Sequence, residues 1–477
     1  MVEPCTRRSM VVFCGTCRTA CSRTSSGSRS SAARAAPRLD AAPSPQNRLT
    51  VQGDFYSGAE DVAATGGAGL SGGNILGRWT HETLGGASMN LQVYYDRTHL
   101  SQPFPASPAA PPFFSGFPAA SLKDDLDTYD LDFQYHFSWS ARHKVAWGLA
   151  YRATRESDED LSIVRFTPAV LNQSLYSGFA QDEIMLARRV YLTVGSKLEH
   201  NDYSGFEFEP SARLQWNPES TQLLWGAISR AVRTPSRYDR DLLVPSGLIN
   251  APPPFQFPTT YLRGSPDFIS EKLLAYEVGY RAELGPKLST SVSAFYNRYQ
   301  SLRSTTATPT TAVYVFPYPI FFQNNLEGET HGLELSASYQ MLGWWRLHAA
   351  YDLFQEHIHV KPGGVDATGA TNETADPQQQ VALRTSTDLP RNLTLDAALR
   401  WVDSPHINNG PAGGPVVGIV PSYFELDAGI AWHATGSLEL SLMGRNLLHA
   451  YHTEYGFPSP TREQIGRSVF GRVTWGY

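Results

Sequence analysis

Four arginines are clustered around the end of one predicted strand. Arg230, Arg233, Arg237 and Arg240 are three or four residues apart and enter the longest irregular stretch of the chain, residues 231–270. Guanidinium groups stay charged at all physiological pH values and bind planar anions through paired hydrogen bonds. Cations gathered at one rim also raise the local concentration of an anionic ligand. We therefore predict that Arg230, Arg233 and Arg237 bind a ligand.

Two histidines, His357 and His359, stand at the start of another long loop. Alternate residues of a strand share a face, so both imidazoles are expected on the same side. Such a pair can contact a metal or a haem, and an ordinary polar rim is the alternative, because no third ligand lies nearby. We include both histidines among the predicted ligand-binding residues and expect neither a protein-bound metal nor a cofactor.

The first forty residues differ from the rest of the chain. All four cysteines lie there, at positions 5, 14, 17 and 21, and residues 1–39 carry seven Arg and one acid. The CxxC spacing suits a metal or an iron–sulfur cluster, but no nearby His or second CxxC pair supports one. A run of Ser, Arg and Ala without hydrophobic periodicity follows. We predict that residues 1–42 are disordered or mistranslated and that residues 43–477 form the folded domain.

Motifs of catalysis and of helical membrane spans are missing from the sequence. It contains no GxSxG, HExxH, P-loop or dinucleotide fingerprint, so we predict that the chain is not an enzyme. No window holds eighteen consecutive apolar residues, which excludes a transmembrane helix. The 39 basic side chains are outnumbered by 45 acidic ones, and we expect no nucleic-acid partner.

Residues 43–477 alternate between apolar and polar or small side chains in segments of about ten residues, the period of a β-strand. Within residues 143–154, one face carries Val145, Trp147, Leu149 and Tyr151. The other face of such segments is polar, and a lumen or a plugged surface is expected to lie beside Glu334, Asp396, Arg400, Glu425, Asp427, Glu439 and Arg445.

Short turns alternate with long loops rich in Pro and Gly, such as residues 101–121, 231–270, 357–379 and 403–421. An up-and-down barrel with short turns at one rim and long loops at the other has this organisation. Six tryptophans near turns or strand ends are typical of an aromatic girdle at a lipid interface: Trp139, Trp147, Trp225, Trp401, Trp432 and Trp475. The fold class predicted is all-β, a transmembrane antiparallel up-and-down β-barrel with about 18 strands. A soluble propeller or sandwich is the alternative, but units of 40 to 50 residues here hold two long strands rather than four short ones.

Several segments, in order along the chain, resemble the barrel of TonB-dependent outer-membrane receptors. Residues 228–237 (ISRAVRTPSR) are similar to the family's SRAxRxPS segment, and residues 271–280 with 291–299 to its next hairpin. Residues 325–334 (NLEGETHGLE) resemble the NxxGxxxGxE strand, and residues 444–451 (GRNLLHAY) resemble GxNLLDxxY, with His449 where Asp is usual. The last strand is also similar to the closing strand of outer-membrane barrels, whose terminal aromatic residue is read by the barrel-assembly machinery. Val473, Trp475 and Tyr477 are the predicted assembly signal.

The resemblance implies uptake of a scarce solute, such as an iron–siderophore complex or another metal chelate, across the bacterial outer membrane. Outer-membrane lipid, the barrel-assembly machinery and the TonB complex are the partners that it implies. Family barrels have 22 strands behind a plug domain and a TonB box, and neither plug nor box is recognised here. We therefore expect a truncated receptor. Either strand 48–57 pairs with strand 468–477 to close a smaller barrel, or the chain is a fragment that does not insert, and we favour the fragment, with a gap or a forced closure in its barrel. A passive porin-like or adhesin-like barrel is the alternative function.

Overall fold

The structure is a computed structural model that describes most of the chain from residue 39 onward. The described residues are 39–62, 66–104, 106, 119–159, 164–246, 249–250, 256–257, 260–307, 319–367, 369–370, 376–404, 420–454 and 464–475. The four cysteines and Tyr477 lie outside them.

Strands dominate the described residues, and one short helix interrupts them. The first half contains β1 (Leu39–Ser44), β2 (Asn47–Val62), β3 (Gly66–Glu82), β4 (Ser88–Phe104), β5 (Ala120–Ser140), β6 (His143–Glu159), β7 (Arg165–Phe166), β8 (Val170–Ala187), β9 (Val190–Asn201), β10 (Gly205–Trp216), β11 (Gln222–Arg233), α1 (Arg237–Arg240), β12 (Leu242–Ser246), β13 (Ile249–Asn250), β14 (Gln256–Phe257) and β15 (Thr260–Arg263). The second half contains β16 (Glu271–Leu284), β17 (Leu288–Ala307), β18 (Pro319–Leu342), β19 (Trp345–Val360), β20 (Gln379–Leu389), β21 (Leu393–Val402), β22 (Tyr423–His433), β23 (Leu438–Arg445), β24 (Tyr451–His452), β25 (Ile465–Gly466) and β26 (Ser468–Trp475). A helix with the length and hydropathy to cross a bilayer is not found in the described part of the chain.

One antiparallel series runs through the sheet in chain order. Each strand of the series pairs with the next, from β1 to β26, while β7, β12, β13, β14, β15, β24 and β25 belong to the long loops. All members of the series except β1 have at least eight residues, so the described part of the chain contains eighteen long strands, in agreement with the predicted number of about 18. Among the described residues no pairing joins β26 to β1 or β2.

Register assigns every residue of the series to one of two faces, because directly paired residues point the same way. The apolar face is the one that carries Leu149, which pairs with Phe133 and Gly178. Large apolar side chains on it remain exposed, including Leu149 at 59% and Leu198 at 49%. An outward surface that meets hydrocarbon rather than water has this character.

The polar face is the opposite side of the same strands, where ion pairs cross between neighbours. Arg152 Nε lies 2.9 Å from Asp130 Oδ2, across β5 and β6, and Lys197 Nζ lies 3.6 Å from Glu209 Oε1, across β9 and β10. Arg400 pairs in register with Glu425, so two of the predicted lumenal residues share this side. The predicted aromatic girdle is wrong at one position. Trp225 lies on the polar face beneath Arg213, whose Cζ is 5.2 Å from the ring.

Two strands of the series separate near the long-loop rim. Pairing of β10 with β11 ends at Ser211 and Ser229, whereas β10 remains paired with β9 as far as Gly205. β11 in turn remains paired with β16 as far as Arg233. The upper ends of β10 and β11 therefore follow different neighbours and leave a cleft between them.

Candidate functional site at the long-loop rim

The candidate site is organised by α1, which follows β11 directly. Ser236 caps the helix: its Oγ accepts a hydrogen bond from Asp239 N at 3.3 Å, and Asp239 Oδ2 accepts one from Ser236 N at 3.0 Å. This reciprocal pair is a capping box, which satisfies backbone donors that a helix start leaves free. The segment Thr-Pro-Ser before α1 thus fixes where the following arginines lie.

Asp239 holds two arginines from β11 and β17, the strands on either side of β16. Its side chain is fully buried, and its Oδ2 lies 2.9 Å from Arg233 Nη1. Its Oδ1 lies 3.6 Å from Arg303 Nη1. Arg233 Nε is also 2.7 Å from Glu271 Oε2, across the β11–β16 pair. We call Arg233, Asp239, Glu271 and Arg303 the rim network.

Arg237 is directed to the other side of α1. Its side chain is only 5% exposed, and Nη1 lies 2.5 Å from Asp158 Oδ2 and 3.1 Å from Glu156 Oε1. Glu156 and Asp158, together with Asp124, form a group of three carboxylates whose oxygens lie within 4.8 Å of one another. The Arg237 guanidinium already compensates this group, so its role here is to attach α1 to β6.

Burial beneath α1 makes the arrangement rigid. Leu242, Phe268 and Phe322 are each at most 4% exposed and form a hydrophobic cluster, against which Val244 and Leu262 pack. Arg237 stacks over Phe166 at 4.9 Å, a cation–π contact. Apolar packing of this kind is uncommon in long loops and indicates that residues 234–246 and 260–270 are held in place.

Burial and charge also set the ionisation of two loop residues. Burial opposes ionisation of Asp239, but hydrogen bonds from Arg233 and Ser236 outweigh it and hold the pKa of Asp239 below its usual range. For Tyr203, in the turn between β9 and β10, burial raises the pKa, and so does its hydrogen bond to Asp241. The carboxylate of Asp239 is therefore charged and the phenol of Tyr203 neutral at physiological pH.

Several groups remain accessible above the rim network. Arg233 and Arg303 have side chains that are 45% and 40% exposed, and Tyr238 is 44% exposed. Arg303 lies over Tyr238 and Phe322, with its Cζ at 5.8 and 5.4 Å from the two rings. Charged guanidinium groups beside aromatic faces can contact an anionic aromatic solute through both hydrogen bonds and stacking.

The predicted ligand-binding residues do not converge on one place. Arg233 and Arg237 flank Asp239 on the polar side, whereas Arg230 lies on the apolar face with Ile228, and its guanidinium donates to Phe208 O. His357 and His359 share a face, with ring centroids 5.7 Å apart, but this is the apolar face of β19, where His359 Nε2 is 3.6 Å from Glu327 Oε1.

The predicted assembly signal lies on the last strand. Val473 and Trp475 are on the apolar face of β26, paired with Leu440 and Leu438. Tyr477 is outside the described residues.

A second charged cluster surrounds Glu425, which the sequence predicted only as a lumenal residue. Glu425 is fully buried on β22, with Oε1 at 2.6 Å from His449 Nδ1 and 3.3 Å from His452 Nδ1. His452 Nε2 lies 2.8 Å from Glu454 Oε1, and this oxygen also accepts a hydrogen bond from Arg400 Nη2. The histidine at position 449, where the family motif has Asp, was the available signal in the sequence.

Comparison with known proteins identifies relatives of the whole fold. The family model described as TonB dependent receptor-like, beta-barrel matches residues 22–447. The iron-regulated outer membrane virulence protein of Vibrio cholerae is 24% identical over 336 residues, which are 66% of this chain and 47% of that protein. The chain thus spans about half the length of this curated relative.

Solved structures agree on the fold. The ferric enterobactin receptor of Pseudomonas aeruginosa superposes with a TM-score of 0.72 at 15% identity, over 92% of this chain and 68% of that one. The siderophore receptor PirA of Acinetobacter baumannii gives 0.69 at 14% identity, over 92% and 70%. These likenesses explain the antiparallel series, the apolar outer face and the long-loop rim together. The chain belongs to the TonB-dependent receptor-like β-barrel family, a family of bacterial outer-membrane receptors rather than enzymes.

Proposed function

We propose that this chain takes part in uptake of an anionic metal chelate, with an iron–siderophore complex as the solute class, across the outer membrane. Family membership over residues 22–447 is the observation that carries the proposal. Relatives named as a ferric enterobactin receptor and a siderophore receptor favour iron chelates.

The proposed contact surface lies above the rim network. Arg233 and Arg303 would neutralise the negative chelate, and Tyr238 would stack on its aromatic groups. Arg237 would act by holding α1 in place, since its guanidinium is buried against carboxylates. We retain His357 and His359 as candidates for a solute that approaches the outside of the rim.

The partners of the proposed function follow from the family. The TonB complex would supply energy for uptake in the whole protein. Outer-membrane lipid would surround the apolar face, and the barrel-assembly machinery would read the strand that carries Val473, Trp475 and Tyr477.

Equilibrium binding of ferric enterobactin to the purified full chain tests the proposal. We expect Arg303→Gln to weaken binding by about tenfold or more, because a hydrogen bond to a charged group contributes about 1.5–3 kcal/mol. Tyr238→Ala should also weaken it. Arg142→Gln, in the short turn at the opposite rim, is the matched control and should bind like the unmodified chain.

Unchanged affinity in both rim variants would refute this surface as the binding site. Ion conductance of the full chain in planar bilayers, without solute binding or TonB, would instead favour the passive barrel.

A further inference from the structure

The segment after β23 folds back over the polar face of β22. Leu447 N donates a hydrogen bond to Leu426 O at 2.9 Å, and the pairing of β24 with β25 fixes the far end of the segment. Its histidines, His449 and His452, are thereby brought to the side chain of Glu425.

One carboxylate oxygen faces both imidazoles. Glu425 Oε1 lies 2.6 Å from His449 Nδ1 and 3.3 Å from His452 Nδ1. Glu425 is fully buried, and its other oxygen, Oε2, accepts a hydrogen bond from Leu448 N at 3.3 Å. The backbone therefore holds this carboxylate with Oε1 directed at the two rings.

His452 has one ring nitrogen with a partner and one without. Its Nε2 donates a hydrogen bond to Glu454 Oε1 at 2.8 Å, because an ionised carboxylate can only accept. In the neutral imidazole, Nδ1 then carries the lone pair. The side chain is 6% exposed, and its Nδ1 is buried and makes no hydrogen bond with any described residue. A buried nitrogen without a partner costs free energy unless a ligand binds it.

The spacing of this nitrogen from the carboxylate suits a metal ion. Two atoms that bind one zinc ion at about 2.1 Å each are about 3.4 Å apart at the tetrahedral angle. The distance from His452 Nδ1 to Glu425 Oε1 is 3.3 Å. Glu454 holds the other nitrogen of His452, which is how carboxylates orient imidazoles that bind metals.

The charge and the exposure of the neighbouring groups also favour a cation. Glu425 and Glu454 carry two negative charges, whereas Arg400, 2.8 Å from Glu454 Oε1, supplies one positive charge. His449 is 48% exposed, so its ring can turn and supply a third ligand once its Nδ1 proton has passed to solvent. One carboxylate and two imidazoles are a ligand set that Zn²⁺ and neighbouring divalent ions accept.

We infer that Glu425, His449 and His452 bind a divalent transition-metal ion, for which Zn²⁺ is the probe, and that Glu454 is a positioning residue for His452. The ion joins the segment after β23 to β22 on the polar face. The sequence predicted no protein-bound metal, because Glu425 is far from both histidines along the chain. This inference does not depend on the proposed function.

Equilibrium dialysis of the purified full chain against Zn²⁺, with the bound zinc measured by mass spectrometry of the element, tests the inference. The four cysteines can also bind zinc, so each variant keeps them and is compared with the unmodified chain. Glu425→Gln and His449→Gln should each bind about one zinc ion fewer per chain. Glu454→Gln should retain the ion with an affinity about ten- to hundredfold weaker, measured by competition with a chromogenic chelator.

A matched control lies lower on the same face of β22. His433 also has an acidic neighbour, with Nδ1 at 3.5 Å from Glu439 Oε2, but no second imidazole faces that carboxylate among the described residues. His433→Gln should bind as much zinc as the unmodified chain. Folding of each variant is checked by its heat-modifiable migration on gels.

Equal zinc contents in the unmodified chain, Glu425→Gln and His449→Gln would overturn the inference, and so would an equally large loss in His433→Gln. If Glu425→Gln fails to fold, His449→Gln decides the question, because it changes an exposed side chain. An unchanged zinc affinity in Glu454→Gln would overturn the positioning role of Glu454.

Discussion

Asp239 is the residue on which the rim depends most. It is fully buried, caps α1 through Ser236 and holds Arg233 and Arg303. Asp239→Asn keeps the shape and removes the charge, so we expect a local destabilisation of about 2 kcal/mol. Limited proteolysis within residues 234–270 should become faster by an order of magnitude. Asp267→Asn, at an exposed position of the same loop, should change little.

The depressed pKa of Asp239 makes this stability depend on pH. A carboxyl whose pKa is lower in the folded than in the unfolded state stabilises the fold above the unfolded pKa, about 3.9, and the contribution is lost as pH falls through the folded pKa. Proteolytic resistance of the loop should therefore be constant from neutral pH to about pH 5 and fall below pH 4. An acid-active protease can follow it, and Asp239→Asn should show no such step.

The arginine cluster is visible in the sequence, but the role of each arginine is not. Spacing of three or four residues would suit one helix face, yet Arg230 and Arg233 belong to a strand, where an odd separation places them on opposite faces. Arg237 is held away from the proposed ligand surface by ion pairs with Glu156 and Asp158, which are distant from it in the sequence. Contacts at such separation leave no mark in local sequence.

At the scale of elements, the apolar face predicts that the same substitution has very different effects at two adjacent positions of one strand. Leu399, on β21, pairs with Leu383 and Leu426 on the apolar face, and Ala398 next to it faces Asp427 on the polar side. Leu399→Arg should cost about 2–4 kcal/mol near the middle of the bilayer. We expect much less heat-modifiable protein in the outer-membrane fraction for this variant. Ala398→Arg is the paired control, and equal losses in the two would contradict the assignment of faces.

The strand series could be predicted from the sequence because each strand has one face toward lipid and one toward water. Apolar and polar side chains therefore alternate along every strand. The prediction for Trp225 was wrong because tryptophan has an apolar ring system and a polar N–H group, so it suits either face of a strand near its end. Arg213 stabilises its ring on the polar face. The loop elements α1, β12 and β15 were not predicted. They are four or five residues long and form through the cluster of Leu242, Phe268 and Phe322, which the chain brings together only in the folded state.

At the scale of the whole molecule, the longest strands of the series extend well beyond what a bilayer requires. The 24 residues of β18 extend about 79 Å at 3.3 Å per residue, or roughly 60 Å of height at a tilt of about 40°, whereas the apolar band needs about 25 Å. Much of the wall therefore stands in water, which explains why His357 and His359 are polar residues on an otherwise apolar face.

Chemical labelling in intact cells tests this height. His359→Cys should react with a membrane-impermeant maleimide, while Tyr351→Cys, about 26 Å lower along the same face of β19, should be protected by lipid. A peptide map separates the label from the native cysteines at positions 5–21. Comparable labelling of both positions would place the membrane boundary elsewhere.

The small strands of the long loops connect distant parts of the wall. β7, after β6, pairs with β12, β12 pairs with β15, and β15 pairs with the start of β18. This chord has three strand spacings, about 14 Å, while the arc from β6 to β18 through the series has seven, about 34 Å. These loop pairings link the two ends of the arc and keep it curved. The long-loop opening therefore cannot flatten between β6 and β18, and any widening for a bulky solute must occur between the other strands.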